Sequence, residues 1–192
     1  MRINEIFYSI QGEGFHSGTP AIFIRFSGCN IHCPFCDTSH FEYKDITQEE
    51  IIKEVIKYPA SLVVLTGGEP SLQVNRPFVQ LLKDAGKYVA IETNGTRELP
   101  ENIDWVTVSP KEQFVGQHAH TIIKNANELK VIYNGIDMPK TFGITADYNY
   151  LQPCDTGDKN KNEQIIRQLI DYIKIDTKWK ISLQTQKILS VR

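Results

Sequence analysis

The apolar runs of this chain share one ending. "SLVVLTGGEP", "YVAIETNG", "DWVTVSPK", "ELKVIY" and "NYLQPCD" are short, rich in β-branched or aromatic residues, and give way to polar or turn-forming residues. Short continuous apolar runs bounded by turn signals read as strands buried on both faces. "AIFIRFSG", Ala21 to Gly28, reads as another. Helical patterns lie between several of them. "ITQEEIIKEVIKY" carries a capping box at Thr47 and Glu50 and an apolar stripe of Ile51, Ile52, Val55 and Ile56. A second helix is predicted through Phe78, Leu81, Leu82 and Ala85, stopping at Gly86. A third is predicted at "EQIIRQLIDYI", ahead of "WKISLQ". Strands alternating with helices predict an α/β fold, a parallel sheet curved into a partial (β/α) barrel. The polar motifs all follow strands, so they should meet at the C-terminal edge of the sheet, where α/β proteins bind ligands.

Length and charge narrow the function classes. With 192 residues and no internal repeat, low-complexity tract or long linker, the chain predicts one domain over 1–192. That length can bury a sizeable core, yet it is short for a complete barrel, which predicts a trimmed helical layer. Lys and Arg number 21 against 23 Asp and Glu, a net charge of −2 with no block of one sign. A nucleic-acid or anionic-membrane partner calls for a basic footprint, so neither is expected. "MRINEIFYSIQGEG" has no apolar signal region, and no stretch approaches the ~18 apolar residues of a membrane span. The expectation is a cytoplasmic protein. In that reducing compartment, clustered cysteines argue for a metal site rather than disulfides.

Three of the four cysteines stand in "SGCNIHCPFCDTSH". Cys29, Cys33 and Cys36 follow the spacing C-x3-C-x2-C. A structural zinc site needs four closed ligands; His32 or His40 could complete a Cys3His set, which makes a zinc-binding module one reading. Four thiolates close every iron of a cubane cluster, whereas three leave one iron open, as a catalytic metal site requires. A ligand carrying an amine and a carboxylate could chelate that iron. "TGGEP", Thr66 to Pro70, reads by itself as a strand-to-helix turn in which Gly67 and Gly68 allow close approach of backbone to a ligand.

Together these motifs resemble the radical S-adenosylmethionine superfamily. Phe35 stands where that superfamily packs an aromatic residue before the third cysteine, and "TGGEP" matches the segment that bonds the cofactor's methionine amino group. Further segments extend the likeness: "EIFYSIQGEGFHSGTPAIFIRFSGCN", "IETNGT", "DWVTVSPK", "NELKVI", "LQPCD" and "ISLQTQKIL" resemble the 7-carboxy-7-deazaguanine synthase family from one end of the chain to the other. The resemblance implies a partial barrel of radical S-adenosylmethionine type. It implies conversion of 6-carboxy-5,6,7,8-tetrahydropterin to 7-carboxy-7-deazaguanine with loss of ammonia, in the route to queuosine and other 7-deazapurines. A 4Fe-4S cluster, S-adenosylmethionine and Mg2+ are the cofactors it brings.

Residue roles follow by matching motif. Cys29, Cys33 and Cys36 are the cluster ligands. Phe35, Cys36, Asp37, Gly68, Ser109, Pro110, Lys111, Gln152, Pro153, Cys154 and Asp155 match positions that line S-adenosylmethionine. Ile10, Gln11, Gly12, Glu13, Arg25 and Thr66 fall where the family grips its pterin, and the terminal residue, Arg192, where the family sets its end against the substrate. Their chemistry suits these places: Gln11 and Glu13 complement a pterin edge, and Arg25 offers a bidentate fork to a carboxylate. Read by themselves, Gln11 and Glu13 could also sit in a solvated loop and Arg25 in a surface ion pair, but the apolar strand around Arg25 favours a paired or ligand-facing guanidinium. Thr38 matches a magnesium ligand, with substrate and water expected to complete the shell. Cys154 is read as pocket wall rather than a fourth iron ligand, Glu92 and Asn94 as supports, and His16, His118 and His120 as having no role.

The implied mechanism starts with reduction of the cluster and cleavage of S-adenosylmethionine to methionine and a 5′-deoxyadenosyl radical. That radical takes hydrogen from C6 of the pterin, after which the ring contracts, recovers a hydrogen and loses ammonia. An electron donor such as flavodoxin or ferredoxin and a homodimer belong to the same expectation. Two rivals remain open at this point: an activase of a glycyl-radical enzyme, which shares the cysteine and "GGEP" motifs, and the non-catalytic zinc module.

Overall fold

A computed structural model describes residues 1–36 and 42–191. The chain runs β1 (Arg2–Ile10), β2 (Pro20–Phe26), β3 (Lys44–Asp45), α1 (Gln48–Val55), β4 (Leu62–Gly67), α2 (Arg76–Asp84) and β5 (Tyr88–Thr93). It continues with β6 (Trp105–Val108), α3 (Glu112–Val115), β7 (Asn125–Tyr133), β8 (Thr145–Pro153), α4 (Lys159–Ile175), β9 (Trp179–Ile181) and α5 (Thr185–Leu189). All nine strands join one sheet in the order β3-β1-β2-β4-β5-β6-β7-β8-β9. From β2 to β9 every pairing is parallel; β1 lies antiparallel to both β2 and β3. The sheet is open and curled, the partial barrel that the strand–helix alternation predicts.

Each buried strand feeds two cores, because successive side chains point to opposite faces. On β4, Val63 and Leu65 join Ile51 and Val55 of α1 and Phe78, Val79 and Leu82 of α2 on the convex face. Leu62 and Val64 join Phe7, Phe23, Ala90 and Trp105 in a second cluster on the other face. Fully burying one such side chain contributes ~1.5–3 kcal/mol. A third cluster, Val108, Leu129, Val131, Leu151 and Trp179, packs under Leu169 of α4.

Helices are missing where the short chain predicts trimming. Parallel neighbours β5 and β6 are connected without one, as are β7 and β8. The β5–β6 side is covered instead by loop residues Leu99 and Ile103, and the β7–β8 side by Ile123, Phe142 and Ile144. In α1 the capping box forms as expected, with Glu50 N donating to Thr47 Oγ1 and Thr47 N to the Glu50 carboxylate. The stripe is narrower than its sequence suggests: Ile51 and Val55 are buried, but Ile56 is 58% exposed because the helix ends at Val55.

The sequence pattern does not reveal β1. Its pairing with β2 slips between Ile3 and Glu5, an irregularity that breaks the two-residue alternation. The segment after β1 then turns back across the concave face. Phe15 stacks on Trp105 and Tyr148 at centroid distances of 4.6 and 4.5 Å. Thr185 N donates to Gly12 O at 3.1 Å, and Gly14 N to Ser182 Oγ at 3.0 Å. This loop floors the half-barrel and ties its first strand to the segment after its last. No helix among the described residues is long and apolar enough to cross a membrane.

Candidate active site

The strand ends and the floor loop enclose a cavity of about 570 Å³. One wall is built by β2, β4 and β5. Past β2, Gly68 N donates to Phe26 O at 2.9 Å and Glu69 N to Gly28 O at 2.8 Å, which fixes "TGGEP" against the entrance of the cysteine loop. A Cβ on Gly68 would collide with the Gly28 carbonyl, so this position accepts only glycine without a shift of backbone. Glu69 lines the cavity but is committed to its wall. Its carboxylate, 1% exposed, accepts from Ser71 N, Thr93 Oγ1 and Asn94 N at 3.0, 2.7 and 2.8 Å. Asn94 in turn donates to Asn30 at 3.0 Å, and Asn30 to Thr96 Oγ1 at 2.8 Å, so the end of β5 also holds the cysteine loop.

Cys29 and Cys33 both line the cavity beside Cys36. Burial raises both thiols, and the neighbouring thiols of the loop raise them further. Iron relieves that cost by holding thiolates. Among the described residues, no three His, Cys, Asp or Glu side chains converge as a single metal ion requires. Three thiols of one short loop that face one cavity are the donor type that an iron–sulfur cluster takes, so the donor set suits the cluster. Across from them, Lys111 Nζ donates to Ser109 O and Oγ at 2.7 and 2.6 Å. Burial brings its ammonium down to about 8, Cys33 pulling the other way and Lys130 adding to the fall. Phe35 packs edge-on against Phe114 at 4.4 Å.

The floor is charged. Lys130, on β7, meets Glu13 Oε2 at 2.6 Å and Glu92 Oε1 at 3.3 Å. Glu13 Oε1 also accepts from Gln184 and Gln186, each at 3.0 Å. Glu92 accepts from Gln11 Nε2 and Thr66 Oγ1, each at 3.2 Å. Gln11 is 7% exposed and is no solvated loop residue. Arg25 pairs through Nε with Glu5 at 2.9 Å, and its guanidinium lies 5.6 Å from the Phe7 ring centre. This ion pair faces the cavity, with about a quarter of each side chain exposed.

The end of β8 supplies the remaining wall. Gln152 accepts from Ser182 Oγ at 3.1 Å, and Cys154 N donates to Tyr133 O at 2.9 Å. The Cys154 thiol is raised by burial and by the charge of Asp155. Asp155 is held at about 2, chiefly by its bond from Lys187 of α5.

Nearly every described residue that the sequence nominates faces this one cavity, from Ile10 to Glu13, Arg25 and Thr66 on the floor side to Ser109 and Gln152 to Asp155 on the other. Pro110 is buried but does not line it. Asp37, Thr38, His40 and Arg192 lie outside the described residues. Among the histidines without an assigned role, His16 packs 4.7 Å from the Trp105 ring and His120 pairs with Glu112 at 3.0 Å. Sequence reasoning misses Lys130, Gln184, Gln186 and Lys187. One signal was present for Lys130: a lysine inside the apolar run "ELKVIY" must find a partner if that run is a buried strand.

Comparison with known proteins bears on the same features. Residues 23–112 match the Radical SAM superfamily. The 7-carboxy-7-deazaguanine synthase of Bacteroides thetaiotaomicron is 50% identical over 191 residues, covering 100% of this chain and 98% of that one. The protein of the same name from Haemophilus influenzae is 34% identical, covering 98% and 93%. The crystal structure of QueE from Escherichia coli superposes with a TM-score of 0.72 at 29% identity, covering 95% of this chain and 92% of that chain.

Proposed function

The chain belongs to the 7-carboxy-7-deazaguanine synthase family of radical S-adenosylmethionine enzymes, and from that premise we propose how its cavity divides the reaction. The substrate is 6-carboxy-5,6,7,8-tetrahydropterin and the product 7-carboxy-7-deazaguanine, with ammonia leaving. One observation carries this reading: the cysteine loop and the polar floor open onto the same cavity, whose volume of about 570 Å³ lies in the ordinary range for ligand sites.

Cys29, Cys33 and Cys36 hold the 4Fe-4S cluster. Phe35, Asp37, Gly68, Ser109, Lys111 and the run Gln152 to Asp155 surround S-adenosylmethionine, and Pro110, off the cavity, only sets the backbone between Ser109 and Lys111. When bound, these cofactors supply hydrogen-atom abstraction at C6 of the substrate. The chain's own groups do the positioning. Glu13 and Gln11 receive the polar edge of the pterin, Thr66 is aligned by Glu92, and Arg25 takes the carboxylate end, with Arg192 proposed as a further substrate contact. Thr38 and the substrate share Mg2+. The loop 11–19 and α5 exclude water from below and from the side. The enzyme acts as one cytoplasmic domain paired in a homodimer, and it draws electrons from a flavodoxin- or ferredoxin-type donor.

The test is turnover. Anaerobically reconstituted protein should carry about four irons per chain and should move deuterium from C6 of labelled substrate into 5′-deoxyadenosine or recovered cofactor. Stoichiometric zinc without iron would end the reading. An untouched pterin, together with activation of a glycyl-radical partner, would transfer it to the activase.

A further inference from the structure

Lys130 stands midway along β7 with its side chain 5% exposed, and it bridges two carboxylates that belong to other parts of the chain. Glu13 comes from the loop after β1 and Glu92 from the end of β5. Each accepts from three donors: Glu13 from Lys130, Gln184 and Gln186, and Glu92 from Lys130, Gln11 and Thr66. An ionised carboxylate has about four acceptor sites, so each keeps about one open. Both line the cavity. A ligand resting there meets a pair of open acceptors.

That offer depends on charge. Two carboxylates brought into one site favour holding a proton between them, and a protonated one presents a donor. The charged groups facing Lys130 are Glu13 from the first loop, Glu92 from β5, Glu128 from its own strand and Lys111 after β6. Burial opposes its ammonium, but the three carboxylates outweigh burial and hold it cationic. In return Glu13, which burial alone would raise, is kept well below the usual carboxylate range, chiefly by Lys130.

We propose that Lys130 is a specificity-determining positioning residue: by bridging Glu13 and Glu92 it keeps Glu13 a carboxylate acceptor, holds Glu92 beside it and so commits the floor to a heterocycle edge with adjacent N–H donors. The 2-amino-4-oxopyrimidine edge of a pterin has that pattern; its 2-oxo analogue, a lumazine, has an acceptor in place of the amino group. The inference rests on the proposed function, in which this floor receives the pterin.

The experiment compares the parent protein with Lys130→Met and Lys130→Arg. Turnover of 6-carboxytetrahydropterin by the parent tests the premise; without it the proposed function falls, and this inference with it. Given turnover, Lys130→Met should retain iron and S-adenosylmethionine binding while its KM for the pterin rises about tenfold or more. The acidic limb of kcat/KM should move to higher pH, because Glu13 without its cation holds a proton more tightly. As competitive inhibitors, 6-carboxypterin and 6-carboxylumazine bind the parent with a preference for the pterin, and this preference should shrink about tenfold in Lys130→Met. Lys130→Arg should restore both the limb and the preference. An equal loss of rate at every pH with an unchanged inhibitor preference overturns the proposal, as does an arginine variant no better than the methionine one. If Lys130→Met does not hold iron, Lys130→Met/Glu92→Gln decides. It removes one carboxylate together with the cation, so it should fold and hold iron, and with Lys130 gone from Glu13 its acidic limb should stay displaced while it tolerates the lumazine. A double variant with the parent's limb and the parent's preference for the pterin overturns the proposal.

Discussion

The two sides of the cavity are made in different ways. The cysteine side is framed by backbone: the start of the "TGGEP" turn bonds to Phe26 and Gly28 carbonyls, and one buried side chain, Glu69, pins the "IETNGT" turn to that frame. Its parts come from adjacent parallel strands. The floor is built by side chain meeting side chain, with Glu13, Glu92, Lys130 and Gln184 arriving from distant parts of the chain. The first construction depends on where the chain can pass, so glycine is decisive. The second depends on charge balance, so a lost partner leaves a buried charge exposed to cost.

Seven substitutions can break or sharpen that contrast. The largest effect belongs to Cys29→Ala, Cys33→Ala and Cys36→Ala, each of which should abolish iron retention and turnover, measured by iron content and product formation. Cys154→Ala should keep its iron, since its main-chain N is tied to Tyr133 on the opposite wall. Next comes Glu69→Ala. It strands the buried Ser71 and Asn94 amides, at about 1–3 kcal/mol each, so chemical denaturation should show a loss of several kcal/mol and iron should bind poorly. Gly68→Ala forces a methyl onto the Gly28 carbonyl and should lower stability by about 1–3 kcal/mol; a normal midpoint with normal iron would show that the cysteine side tolerates displacement. The smallest effect at the site is expected for Gln186→Ala. It removes one of three donors to Glu13, worth ~1 kcal/mol, and should raise KM for the pterin about fivefold with iron and midpoint unchanged. A change of iron content in that variant would erase the distinction between the two sides.

How much of this was legible depended on the same distinction. The cysteine side is written in contiguous strings, because neighbouring strands and the turns after them are local in sequence. "SLVVLTGGEP" carries the strand, the glycines and the partner of the cysteine loop within ten letters. The floor has no such string. Glu13 and Lys130 are 117 positions apart, and nothing local tells that a glutamate in "GEGF" will accept from a lysine in "ELKVIY". Arg25 was legible in part: its place in an apolar strand signals a partner, but Glu5 as that partner follows only once β1 is paired, and the slip in β1 hides that strand. The trimmed helical layer could be foreseen from length, whereas the loop residues that replace it, Ile123 and Phe142, are ordinary apolar residues without a helical period.

The bonds from Gln184 and Gln186 to Glu13 span 171 and 173 positions, and this separation sets an order in time. During synthesis at ~5–20 residues per second, roughly ten to thirty seconds pass between the emergence of Glu13 and that of its last partners. Through that interval the first loop has neither its lysine nor its glutamines for most of the time, and burying its carboxylate early would be unfavourable. The cysteine side, by contrast, is complete in sequence once β5 and its turn have been made. A nascent chain can therefore shape its cluster loop well before it can close the floor beneath it. Maturation of the metal site and completion of the substrate site become separate events, the second waiting for the final helix.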